Sequence, residues 1–221
     1  MATLLLRFAA PLQAWGIDSK FETRNTEREP SKSGVIGLLA AALGYKRTEP
    51  EKLEELNALR FGVRVDQEGK LLRDFHTAHG DLENTSFVTN RYYLSDAVFL
   101  VALEGEESLL KKLEYAVSHP AFPLYLGRRA CPPTVPLCLG LRASGLLETL
   151  QKEAPLAKNP RDTARIIADA RAEDANTAVV RDIPVSFDPR CRKHGYRTCT
   201  EYHLTMNTGE SEHDPFTELE E

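Results

Sequence analysis

Six patterned segments follow one another in the first two thirds of this chain, in the order strand, helix, strand, strand, helix, strand. "TLLLRF", Thr3 to Phe8, is an apolar run of strand length halted by Pro11. "SKSGVIGLLAAALG" reads as a helix: Ser31 or Ser33 stands at the N-cap, Gly44 closes the far end, and apolar residues occupy every side, as in a buried helix. "FGVRVD" and "KLLRDF" flank Gln67, Glu68 and Gly69, a hairpin signal. "DAVFLVALEG" is a strand. "EESLLKKLEYAVSHP" places Leu109, Leu110, Leu113 and Val117 on one helical face before Pro120 ends it, and "PLYLG" with "TVPLCLGLRA" closes the series. This α+β order is the ferredoxin-like, RRM-like βαββαβ arrangement. Its sheet face is the RNA-binding surface of RRM-type modules, although the same fold carries many unrelated functions.

The remaining segments are less regular. "EPEKLEELNALR" is a short amphipathic helix with Leu53, Leu56 and Leu59 at helical spacing, and from His76 to Arg91 the pattern fades. Composition shifts near Ser144 and Gly145. We therefore read 1–144 as the core, 145–208 as a smaller β-rich C-terminal part and 209–221 as an acidic, disordered tail. The C-terminal part holds a short helix ("LLETLQKE"), an ambiguous stretch ("TARIIADARAE") and two strands ("TAVVRDIPVSF", "YRTCTEYHLTM").

Net charge is −5, which on its face argues against a nucleic-acid partner. The distribution matters more than the sum. Six of the 33 acidic residues lie in the tail "GESEHDPFTELEE", which has no Lys or Arg; 27 then face 28 basic residues in the rest of the chain. Arg128 with Arg129, and Arg190, Arg192, Lys193 and Arg197, form local basic clusters within that neutral body. The longest apolar run, Val35 to Leu43, is too short to span a bilayer. The first residues lack a basic leader and carry Pro11 and Gln13 where a signal peptide would continue, so a cytoplasmic chain is expected. Cys131, Cys138, Cys191 and Cys199 lack zinc-ribbon spacing and read as reduced thiols, with structural zinc through His194 as the alternative. No cofactor is implied.

Four stretches carry candidate chemistry. Lys32 precedes Gly34 with no upstream glycine, so "EPSKSGVIG" is not a P-loop. A helix N-terminus still attracts anions through its free N–H groups and its dipole, and Lys32, Ser31, Ser33, Arg24 and Arg28 stand around this one. Either it binds an anion or Ser33 merely caps a core helix. "GRRACPPTVP" sets Arg128 and Arg129 before a stiff turn, suited to phosphate or else a plain surface pair. "RCRKHGYR" mixes basic residues with Tyr196 in the manner of single-strand binders, or is a solvated hairpin tip. His76 and His79 in "DFHTAHGD" are an acid/base pair for RNA cleavage, a metal pair, or neither. Trp15 either packs its loop onto the core or stacks on a base.

Together, "LLLRFAAPLQAWG", "FETRNT" followed by "PSKSGVIGLLAAALG", "LRDFHT", "YYLSDAVFLVAL" and "YLGRRACPPTVPLCLG" resemble, in order and spacing, the CasD family of the type I-E CRISPR surveillance complex, Cascade. The resemblance runs from Leu4 to Leu141. It implies an RRM-like RAMP core with a β-hairpin thumb at 77–91, and a subunit that caps the crRNA 5′ end, holds its repeat-derived 5′ handle, and packs against the backbone subunit CasC and the large subunit CasA. In type I-E systems another subunit cuts the repeat, so the resemblance implies a non-catalytic RNA-binding member. Type I-C relatives cut the repeat themselves, which leaves a metal-independent endoribonuclease, with His76 as acid/base, as the alternative. The family motifs fall on Gln13, Trp15 and Gly16, on Arg24, Lys32, Ser33 and Gly34, and on Gly127, Arg128 and Arg129. The expectation is that the Lys32 helix end meets RNA while Val35 to Leu43 are core.

Overall fold

The computed structural model describes residues 2–17, 22–79 and 86–206. In chain order they form β1 (Ala2–Ala9), β2 (Leu12–Gln13), β3 (Thr23–Arg24), α1 (Lys32–Ala42), α2 (Leu53–Asn57), β4 (Arg60–Gln67), β5 (Lys70–His79), β6 (Ser86–Ser95), β7 (Val98–Gly105), α3 (Glu107–Ser118), β8 (Cys138–Arg142), α4 (Leu146–Lys152), β9 (Thr163–Asp169), β10 (Thr177–Ser186) and β11 (Lys193–Thr205). The expected acidic tail lies outside the described residues.

The core arrangement is the one the segment order predicts. β1 pairs antiparallel with β7 and β8, and β7 pairs antiparallel with β4, so the four core strands lie in the order β4-β7-β1-β8. That is the 4-1-3-2 sheet of a βαββαβ unit read from its other edge. α1 and α3 cover one face. Leu4, Leu6 and Phe8 of β1 and Phe99, Val101 and Leu103 of β7 point to that side, where they meet Val35, Ile36 and Leu39 of α1 and Leu110 and Leu113 of α3. Leu5, Leu100 and Ala102 point the other way. Strands buried on both faces need no polar alternation, which is why β1 and β7 read as continuous apolar runs.

The second face is closed to a ligand. α4 lies across it, with Leu146 and Leu150 packed on Leu5, Leu100, Ile166 and Ala168. Gly62 makes room: a Cβ there would come within 2.8 Å of Leu150 Cδ1. Both ends of α4 are tied to charged side chains of the sheet. Glu104 accepts from the Leu146 N–H at 2.6 Å at the N-terminus, while fully buried Arg64 donates to the carbonyls of Leu150, Glu153 and Ala154 at the C-terminus. An anion at the positive end and a cation at the negative end of the helix dipole favour this placement. The RRM-type sheet face is therefore occupied by the protein's own helix.

Two further findings depart from the sequence reading. "FGVRVD" and "KLLRDF" do not form a hairpin with each other. β4 stays in the main sheet, while β5 leaves it and pairs with β6 over ten residues, from Lys70 opposite Ser95 to His79 opposite Ser86. Gly69, at φ 73, permits the sharp change of direction. The fading pattern after His76 thus belongs to a ribbon longer than the expected 77–91 thumb; residues 80–85 lie outside the described residues. The C-terminal strands extend the main sheet, since β9 pairs with β4, β11 with β9, and β10 with β11, giving seven strands in all. "TARIIADARAE" resolves into β9.

Candidate nucleic-acid interface

Three of the expected motifs converge on one spot. Gln13 is fully buried; its side-chain amide donates to the carbonyls of Ala97 at 2.7 Å and Phe8 at 3.3 Å, and its oxygen accepts from the Trp15 indole N–H at 3.2 Å. Trp15 is buried too, stacked on Phe8 with ring centroids 5.3 Å apart, and its ring lies over Gly34 where a Cβ would come within 2.9 Å. The third motif closes on the same loop. The Ala14 N–H donates to Leu126 O at 3.1 Å, and Gly127, at φ 91, passes so near that a Cβ would fall 1.7 Å from Ala14 O. Only glycine satisfies both demands. Gln13, Trp15, Gly34 and Gly127 are thus the frame of a site, and Trp15 takes the packing alternative.

Arg128 also serves the frame. Its guanidinium donates to Tyr92 O at 3.0 Å, Arg24 O at 2.7 Å and Asn25 O at 3.1 Å, and rests 4.7 Å over the Tyr93 ring. It thereby staples β3 to β6, which pair in parallel with Arg24 beside Arg91. What remains outside is a row of unspent groups: exposed Gly16, Arg24 and Arg129, and half-buried Arg91. Arg91 Nε is buried with no hydrogen-bond partner. Backbone pairing sets Arg24 beside Arg91, and Arg129 follows Arg128, whose guanidinium reaches Arg24 O, so arginines gather around this loop as suits a phosphate or another flat acceptor. Arg91 was not singled out from sequence, because a lone arginine in a polar stretch carries no motif; its pairing with Arg24 is the only signal.

The end of α1 is not part of this row. Ser31 caps it, accepting from the Gly34 N–H, but Asp182 occupies the anion position by accepting from the Lys32 N–H at 2.7 Å. Lys32 and Ser33 are buried. The Lys32 ammonium donates to Leu59 O at 2.8 Å and Asp169 at 3.0 Å, and Arg197 bridges Asp169 at 2.9 Å to Asp182 at 2.7 Å. Burial opposes the Arg197 charge, yet Asp182 and Asp169 more than offset it and hold its pKa above the usual guanidinium value. Two cations and two carboxylates thus bolt β9, β10 and β11 to α1. An outside anion finds this helix end filled.

His76 and His79 cannot act as a pair. They are three residues apart on β5, so their side chains leave opposite faces of the ribbon. His76 Nε2 instead contacts Asp74 at 2.7 Å, both side chains being nearly half exposed. No cluster of metal-ligating residues exists among the described residues, and the four cysteines are free. Burial raises the pKa of Cys131, Cys138 and Cys199. A cavity of about 520 Å³ opens between the loop before α1 and the C-terminal strands. Its lining includes Glu27, Glu29, Asp182 and Glu201 against one arginine, Arg197, which is poor chemistry for phosphate. No described helix is long and apolar enough to cross a membrane.

Comparison with known proteins supplies the family. The model of the CRISPR-associated protein (Cas_Cas5) family matches residues 3–200. The CRISPR system Cascade subunit CasD of Escherichia coli (strain K12) is 40% identical over 156 residues, which are 62% of this chain and 70% of that one. A chain of a solved CRISPR RNA-guided surveillance complex superposes with a TM-score of 0.78 at 34% identity, covering 92% of this chain and 90% of that one. A solved Cas protein gives 0.72 at 40% identity, covering 92% and 95%. With a match that runs from β1 into β11, and with the motif residues locked together as one frame, the chain belongs to the CRISPR-associated Cas5 family.

Proposed function

We propose that this protein is the CasD-like subunit of a Cascade surveillance complex, and that it holds the crRNA 5′ handle without cutting it. The observation that carries this reading is the row of Gly16, Arg24, Arg91 and Arg129 beside a rigid frame, with Gly16, Arg24 and Arg129 exposed. Such a row binds a backbone by charge and position, and needs no reacting group. The β5–β6 ribbon supports the assembly part of the reading. Leu71, Phe75 and Val88 on one of its faces and Leu72 and Phe87 on the other are exposed, and a two-stranded ribbon has no core to cover them. Neighbouring subunits of the CasC and CasA type, together with RNA, would cover both faces.

The alternative, an endoribonuclease using His76, draws on the Asp74 contact, which would orient the imidazole. Handle binding tests the leading reading. Arg24→Ala with Arg129→Ala should weaken binding of an RNA with an exposed 5′ handle at least tenfold and lower its salt dependence by about 1.4, roughly 0.7 per cation lost. Unchanged affinity and slope would refute the assignment of this row.

A further inference from the structure

The β10–β11 hairpin carries a second cationic-aromatic surface that the handle site does not use. Arg181 sits with its guanidinium 6.0 Å from the centre of the Tyr196 ring. Tyr196 is 67% exposed and Val179 beside it 68% exposed. A depression of about 420 Å³ opens at the foot of this ring, lined by Val179, Thr198 and Ala170 with Arg197 and Asp169 at its base. Arg192, in the adjoining turn, is exposed and makes no ion pair among the described residues, whereas Lys193, three residues before Tyr196 on β11, leaves the other face of the strand. The carboxylates nearby are spent: Asp188 on Arg190, and Asp182 and Asp169 on Arg197 and Lys32. The hairpin therefore presents uncompensated positive charge around an open aromatic face. It lies at the β10 edge of the main sheet, whereas β8, which follows the Arg129 loop, forms the other edge.

We propose that Tyr196, Arg181 and Arg192 form a second binding surface for single-stranded nucleic acid. The open face of Tyr196 is a stacking platform for one base, which the depression beside it has room to admit. Arg181 holds the ring from its own side and reaches the adjacent phosphate, and Arg192 continues the charge along the strand. A duplex keeps its bases stacked and would leave Tyr196 unused, so the surface selects single strands. RNA and DNA share this chemistry, and only a contact to the 2′-hydroxyl would separate them.

The test uses the full chain with fluorescein-labelled rU20 and dT20, titrated across a range of salt concentrations. Tyr196→Ala should weaken binding about tenfold and Tyr196→Phe should not, because the ring does the stacking. Replacing Arg181 and Arg192 by Ala should lower the salt slope by about 1.4, at roughly 0.7 per cation. An ultraviolet cross-link to the Tyr196 peptide should appear with one or both oligonucleotides, and the arm that binds tighter names the strand type. Unaltered melting temperatures of the variants exclude unfolding as the cause. Equal affinity and slope in wild type and variants, no cross-link at Tyr196, or no binding of either strand at low salt would each overturn this surface. Equal affinity and slope or a missing cross-link at Tyr196 leaves the Arg24 and Arg129 site standing, whereas loss of all binding at low salt would count against both surfaces; handle RNA with Tyr196 intact tests that site by itself.

Discussion

At the residue scale, the family motifs turn out to be a lock more than a set of contacts. Gln13 and Trp15 spend every polar atom of their side chains on each other and on the carbonyls of Phe8 and Ala97, Arg128 spends its guanidinium on three main-chain carbonyls, and Gly34 and Gly127 are the gaps into which the lock closes. Gly127→Ala should destabilise the fold by more than about 1 kcal/mol, because a left-handed φ and a main-chain collision coincide there. A urea unfolding midpoint checks it, and an unchanged midpoint would show that the loop gives way freely. Which of these residues point inward was not legible in the sequence. Residue type told that a Gln, a Trp and two arginines were present; the direction of each depends on partners such as Ala97, Tyr92 and Phe8 that no local pattern announces.

At the element scale, periodicity located almost every strand and helix, and failed where the partner of a strand was at issue. β4 and β5 flank a good turn yet belong to different sheets, since β4 is claimed by β7 and β9 on its two sides. The same distance problem hid the role of Lys32. Its ligands Asp169 and Asp182 lie 137 and 150 residues away, so an apparent anion site at a helix start is in fact a joint to the C-terminal strands. Lys32→Ala should cost about 1–3 kcal/mol of stability, because half-buried Asp169 loses one of its two cations and keeps Arg197, while the folded fraction keeps its RNA affinity. A denaturant titration beside a binding titration separates the two effects.

The C-terminal strands also carry a titrating joint. Asp174 accepts from the Arg171 N–H at 2.7 Å, from Tyr202 Oη at 2.8 Å and from Thr200 Oγ1 at 3.1 Å. The Arg171 backbone hydrogen bond first, then Tyr202, hold its carboxyl below the usual aspartate range. A depressed folded pKa means that this stabilisation is present above the ordinary carboxyl pKa and is lost as pH falls below about 4. Asp174→Asn should flatten the acid limb of the stability curve, measured by melting temperature against pH. An unaltered limb would mean that Asp174 does not contribute.

At the scale of the whole molecule, a sheet whose core strands are covered on both faces leaves the rims, the β10–β11 edge and the ribbon for function. α1 and α3 take one face, α4 takes the other, and the ion network fixes the C-terminal strands to the first helix. The fold class and its strand order could be read from the succession of patterned segments. That α4 would close the RRM-type face could not, because a seven-residue helix with ordinary amphipathicity carries no sign of where it docks. The proposed role requires a molecule that grips RNA and does not cut it. The direct measurement incubates the purified protein with labelled repeat RNA, intact and pre-cut to expose the 5′ handle, in metal-free buffer, and reads native and denaturing gels. A handle-holding subunit should give a shift that favours the exposed handle, with the RNA intact; site-specific cleavage that disappears in His76→Ala would overturn that role.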